Sequence, residues 1–174
     1  MLENREDAYR LLRDLGAPAR LLLHVQLVGE AADRLIDEYI ELGLDVNVGL
    51  IRLGVAIHDA GKIRYPAELD AAGSLHEPAG EALLLSHGVQ PEVARCCVTH
   101  ARWQGDDVSF EEQSIALADK LWKGKREEPL ELTVVDRVAA MLGLGRWDVF
   151  TRLDGLFEEI AAGGAERLER SRME

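Results

Sequence analysis

Residues 47–62, NVGLIRLGVAIHDAGK, place a helix-capping asparagine ahead of ten mostly apolar residues and end the run on His58-Asp59-Ala60-Gly61-Lys62. Asn47 can accept a hydrogen bond from the first unpaired amides of a helix. Val48, Leu50, Ile51, Leu53, Val55 and Ile57 leave that helix almost no polar face, so the spacing predicts an element at the centre of a core. Such a helix delivers a histidine and an aspartate where little water reaches. Burying an unpaired carboxylate costs several kcal/mol in order of magnitude, so Asp59 needs a cation or several donors.

Working outward, the same i, i+3, i+4, i+7 apolar spacing recurs between Gly and Pro punctuation, and nothing reads as a strand. The reading is all-α. A first helix runs from the Asn4 cap through Ala8, Leu11, Leu12 and Leu15 to Gly16. Pro18 opens a second, with Leu21, His24, Val28, Ala31 and Leu35 on one stripe and a stop near Gly43. After a loop containing Pro66 and Gly73, a fourth helix starts around His76 and stops at Gly88. Pro91 opens a fifth that ends beyond His100. Ser109 and Glu112 form the capping box of a sixth, which carries Ile115, Asp119 and Trp122 on one side. Beyond Pro129, helices are expected over 133–142 and 147–162, the latter packed through Phe150, Leu153, Phe157 and Ile160. The highly charged segment 166–174 is expected to be frayed.

At 174 residues with 47% apolar content the chain can bury one sizeable core, which predicts a single domain over 1–174. No apolar run approaches the roughly 18 residues of a membrane span. The N-terminus lacks the basic-then-apolar order of a secretory signal, so a cytoplasmic location is expected. Cys96 and Cys97 are adjacent and read as small core residues, not as a disulfide framework. A formal charge of −12 opposes binding of a nucleic-acid polymer but not of a small phosphorylated ligand, because local cations dominate inside a pocket. Apolar stripes near the C-terminus are compatible with a homodimer.

His24 lies four residues before Val28 on an apolar stripe. Asp119 lies four after Ile115 and three before Trp122, so both point inward with Asp59. Adjacent residues on a helix diverge by about 100°, so His58 and Asp59 can grip one ion only beside the helix end. Gly61 suits that arrangement, leaving room for close approach. A divalent metal satisfies the buried carboxylates at once. Imidazole and carboxylate ligands without thiolate suit Mn, Fe, Co, Ni, Mg or Zn.

His24, then His58-Asp59, then Asp119, each on a separate helix, resembles the H…HD…D signature of the HD superfamily of metal-dependent phosphohydrolases. Residues 56–62 resemble the family's "HDIGK", with Ala60 in place of isoleucine. Residues 74–84 resemble its "H…GA…L" segment, and residues 115–121 its closing "ADKL". The likeness covers about 18–125. It implies a compact HD-domain helical bundle with a metal site between central helices, the C-terminal helices of 129–165 lying outside it.

Two-metal relatives add histidines that correspond to His76 and His100, with the aspartate of the HD pair bridging. The resemblance therefore implies one or two ions and makes Asp59 the shared ligand. A second reading of His100 stays open, that of a core histidine beside the two thiols. Ala101 stands where some relatives carry a further histidine, and residues 104–107 lack the GYP motif of the cyclic-dinucleotide branch. The small bacterial members that hydrolyse dinucleoside polyphosphates are similar in layout. His87, before Gly88, reads as a helix-end residue.

The implied activity is hydrolysis of a phosphoester or phosphoanhydride of a nucleotide or similar metabolite. Asp59 and Lys62 are the implied catalytic residues, and Lys62, Arg64 and Arg102 the implied substrate contacts. Lysine at 62 equally suits a solvated helix end. Two other functions use nearly the same ligands: a di-iron oxygenase of the HD fold, and a regulatory module without turnover.

Overall fold

Three start signals in the sequence, Asn4, Asn47 and Ser109, are matched by side-chain caps. The computed structural model describes residues 1–172. Asn4 accepts from the Asp7 amide at the head of α1 (Arg5–Asp14), and Pro18 precedes α2 (Ala19–Glu41). Asn47 accepts from the Leu50 amide to open α3 (Val48–Ile57). Two short 3-10 turns follow, Ala60–Ile63 and Pro66–Leu69, and then α4 (His76–Ser86). Ser109 and Glu112 close a reciprocal capping box on α7 (Phe110–Leu121). Gly16, Gly43 and Gly88 stop their helices with positive φ. Among the described residues there is no strand, and no helix is long and apolar enough to cross a membrane.

α3 is the hub, packed on α1, α2 and α7 and on the short helices α5 (Pro91–Ala94) and α6 (Cys96–Thr99). Ile51, Val55, Ala56 and Ile57 are fully buried along it. Tyr39 of α2, also fully buried, shares a 2.9 Å hydrogen bond with Ser114 of α7, which fixes the two long walls of the core around α3. Cys96 and Cys97 are buried core residues, Cys97 donating weakly to the Ile57 carbonyl at 3.3 Å.

Three expectations are corrected. The helix expected from Pro91 to beyond His100 is two four-residue pieces that end at Thr99. Around Arg95 the ladder tightens, and the Val98 amide reaches back three residues to the Arg95 carbonyl. The helix expected over 133–142 is α8 (Glu128–Leu142). Pro129 stands in its first turn, where a missing amide costs nothing, and Glu131 accepts from the Glu127 amide at 2.9 Å.

The charged segment expected to fray contains α10 (Gly164–Arg170), which follows α9 (Arg146–Ala162). Its Arg167 is buried and donates to the carbonyls of Trp122 (3.2 Å) and Ile160 (2.8 Å), so charge content misled there. Residues 173 and 174, the end of that segment, lie outside the described residues.

The turn after α3 runs backbone to backbone along α4. A β-carbon on Gly61 would stand 1.7 Å from the His76 carbonyl oxygen and 2.7 Å from the Gly80 amide nitrogen. The close approach expected at Gly61 is thus to α4. Gly61→Ala is expected to destabilise the chain by about 3 kcal/mol or more. Thermal denaturation against the parent measures this, and an unchanged midpoint would contradict the contact.

Candidate metal centre

Five elements deliver six side chains to one buried place. His24 comes from the first turns of α2, His58 caps the C-terminus of α3 and Asp59 follows it. His76 is the first residue of α4, His100 caps α6, and Asp119 stands in the last turn of α7. The negative ends of α3 and α7 both face the cluster, which favours a cation there. His58, Asp59, His76 and His100 are buried.

The side chains form two sets. His24, His58, Asp59 and Asp119 each offer one ligand atom, and these lie within 4.8 Å of one another; Asp59, His76 and His100 do the same. Asp59 belongs to both, through different oxygens. Its Oδ2 is 2.8 Å from His24 Nε2 and 3.6 Å from His58 Nε2, while its Oδ1 is 3.2 Å from His76 Nε2 and 3.7 Å from His100 Nε2. His58 Nε2 is also 3.2 Å from Asp119 Oδ1.

Three of the rings are aimed from behind. Nδ1 of His58 faces the Val55 carbonyl at 2.7 Å, Nδ1 of His100 faces the Cys96 carbonyl at 3.0 Å, and Nδ1 of His76 bonds Glu68. With Nδ1 donating outward, a neutral ring turns its Nε2 lone pair toward the cluster, as a metal ligand requires. The Nε2 atoms of His24 and His76 are buried with no hydrogen-bond partner, although Asp59 is close to both. Orphaned imidazole nitrogens beside a buried carboxylate fit a cation better than they fit a hydrogen-bond network. These buried histidine and aspartate groups can hold a metal ion.

Burial opposes a charge on His58, but the Asp59 and Asp119 carboxylates overcome it and lift its pKa to about 9. Burial likewise pushes both carboxyls up, and the His58 charge outweighs that, holding Asp59 and Asp119 below the usual carboxylate range. His100, desolvated and facing His58, is pushed down. In the metal-free protein His58 therefore carries compensating positive charge, and against desolvation the Asp59 and Glu68 carboxylates raise His76 as well. Lys62 adds its ammonium 2.9 Å from Asp59 Oδ2.

The other sequence candidates lie elsewhere. Arg64 is exposed and lines a cavity of about 240 Å³ with Tyr65 and Ser86, and Arg102 is exposed beside one of about 340 Å³ with Glu81 and Asp107. Neither cavity includes a residue of the cluster. His87 caps α4, with its Nδ1 2.9 Å from the Leu83 carbonyl.

Sequence reasoning missed Glu68, which also accepts from the amides of Leu75 and His76 and so pins the start of α4.

Two outcomes test the centre. Glu68→Gln is expected to weaken metal affinity by about 10- to 100-fold in a chelator competition; unchanged affinity would contradict the supporting role of Glu68. A cation must also displace the proton on His58. Metal uptake near pH 7.5 is therefore expected to release roughly one proton, and affinity to rise with pH until about 9. Calorimetry in buffers of different ionisation enthalpy reads this directly, and a buffer-independent heat would contradict it.

Comparison of the chain with protein-family models, with curated proteins and with solved structures finds no match.

Proposed function

We propose that this chain is a metal-dependent phosphohydrolase acting on a phosphoester or phosphoanhydride of a nucleotide or similar small phosphorylated metabolite. The observation that carries the reading is the placement of Asp59 in two ligand sets, with a lysine ammonium on the same carboxylate. The resemblance of residues 18–125 to the HD superfamily supports it. In this reading His24, His58, Asp59 and Asp119 hold one divalent ion, and Asp59, His76 and His100 hold a second. The ligand chemistry is compatible with Mn, Fe, Co, Ni, Mg or Zn. When bound, such an ion polarises a phosphoryl oxygen and makes water a competent nucleophile near neutral pH.

The chain's own residues supply the rest. Burial of Asp59 and His58 keeps bulk water from competing for the cation, and the outward bonds of the imidazoles keep their lone pairs oriented. Lys62 is placed to neutralise charge gathering on phosphoryl oxygens, where preorganised donors act most strongly. The Lys62 ammonium beside the cluster suits an anionic substrate such as a phosphate ester.

The test is purification without a metal-affinity tag, metal analysis, and a phosphate-release screen over nucleotides and dinucleoside polyphosphates beside Asp59→Ala. One to two ions per chain are expected, with turnover lost in the variant. Unchanged metal content and turnover in Asp59→Ala would refute the reading. Iron-dependent oxygen consumption without phosphate release would favour the oxygenase.

A further inference from the structure

Three of the four imidazoles in the cluster are aimed by a hydrogen bond at Nδ1, to Val55, Cys96 or Glu68. Among the described residues His24 has no such bond, and its ring instead meets that of Trp122 edge-to-face, with centroids 4.9 Å apart and planes at 76°. The difference matters because the last torsion of a histidine side chain is broad, so the helix backbone alone does not decide where Nε2 points. A ring left free to turn must be ordered when it binds, and that cost is taken from affinity. Leu21, Val25 and Val28, all fully buried, fix the His24 backbone within α2. The contact with Trp122 fixes the ring, since aromatic pairs in this geometry attract through their quadrupoles beyond the area they bury.

Trp122 is itself held with little freedom. It is buried at the C-terminal end of α7, one helical turn after Asp119, so it touches His24 from the face that carries another ligand of the same set. Its carbonyl, unpaired within α7, accepts from Arg167 of α10 at 3.2 Å, and the same guanidinium nitrogen reaches the Ile160 carbonyl near the end of α9 at 2.8 Å. The turn that follows is pinned as well. Gly124 has φ +84°, and a β-carbon on Gly164 would stand 2.2 Å from the Gly124 nitrogen. α10 therefore braces the end of α7 by one side-chain fork and one contact of main chains.

We propose that Trp122 is the positioning residue of His24, and that α10 holds Trp122 in place through Arg167. The first ligand set, His24, His58, Asp59 and Asp119, is thereby completed by a helix outside the 18–125 stretch that resembles the HD superfamily. The second set does not depend on α10, because Glu68 and the Cys96 carbonyl aim His76 and His100. The proposal rests on the metal centre of the phosphohydrolase reading and uses no property of a substrate.

Zn²⁺ alone is the probe, set at buffered free concentrations over the full-length ¹⁵N-labelled chain, with the five imidazoles read separately by their ring-nitrogen shifts. His24→Gln, His76→Gln and His100→Gln assign the signals. Trp122→Leu keeps an apolar side chain but removes the ring. It is expected to raise the free Zn²⁺ that half-shifts His24 by about tenfold, the low end of the loss that follows removal of a ligand's outer partner. Trp122→Phe keeps a ring and is expected to hold the parent midpoint to within about threefold. Arg167→Gln is expected to move the His24 midpoint in the same direction as Trp122→Leu. In all three, His76 and His100 are expected to keep their parent midpoints, which general destabilisation would not allow.

Equal His24 midpoints in the parent and Trp122→Leu overturn the proposal, as does a joint shift of every cluster histidine. Where the variants do not fold, the parent decides alone. A nuclear Overhauser contact between the Trp122 and His24 rings is expected with and without Zn²⁺, and its loss on Zn²⁺ uptake overturns the proposal. Zn²⁺ at both sets without phosphate release from any ester would keep the positioning role and remove the hydrolase reading. Phosphate release by a chain whose His24 midpoint ignores Trp122→Leu would do the reverse.

Discussion

Both oxygens of Asp59 are engaged below the surface, and the arrangement of the ligand-bearing helices answers the problem this creates. A carboxylate is kept ionised there only if positive charge or donors surround it, since desolvation alone would drive it to the acid. Positive charge on His58 and the Lys62 ammonium meet that anion, with the rings of His24, His76 and His100 packed about it. Each ring arrives from a different element, so no single helix could meet the requirement. The convergence of α2, α3, α4, α6 and α7 is therefore as much electrostatic as hydrophobic.

Much of this was legible because local signals and the global fold agree. Asn47 ahead of an all-apolar run, the Ser109–Glu112 box and glycine stops specify their helices with side chain to backbone bonds that need no tertiary partner. His24 and Asp119 were legible as inward-facing because polar groups on apolar stripes break the helical pattern.

Glu68 was not, because it lies in a 3-10 turn without periodicity and gains meaning only when the chain folds it against His76. α10 was hidden for the opposite reason. Its sequence reads as solvated charge, and nothing local reveals that Arg167 finds two carbonyls at the ends of α7 and α9. Arg64 and Arg102 attract notice by charge and proximity in sequence, and the fold turns each toward a cavity that no residue of the cluster lines.

The charge distribution then divides into two regimes. Ion pairs such as Arg146–Asp136 and Arg34–Glu159 sit on the exposed surface, where each contributes about 0–1 kcal/mol and salt screens it. Inside, the same kinds of groups interact with little solvent between them, and their mutual influence is large enough to move proton affinities. An acidic exterior and a buried cluster of coupled charges can thus coexist in one small chain, because the first acts over a Debye length and the second over contact distances.

The main-chain crossing of Gly61 over α4 also governs how the two ligand sets are spaced. Side chains can change rotamer to absorb a shift, but peptide planes in contact have no such freedom. Asp59 stands two residues before that crossing, and the His76 carbonyl is the atom it touches. Asp59 and His76 are thereby tied to each other through the main chain, like the jaws of a caliper set at a single opening.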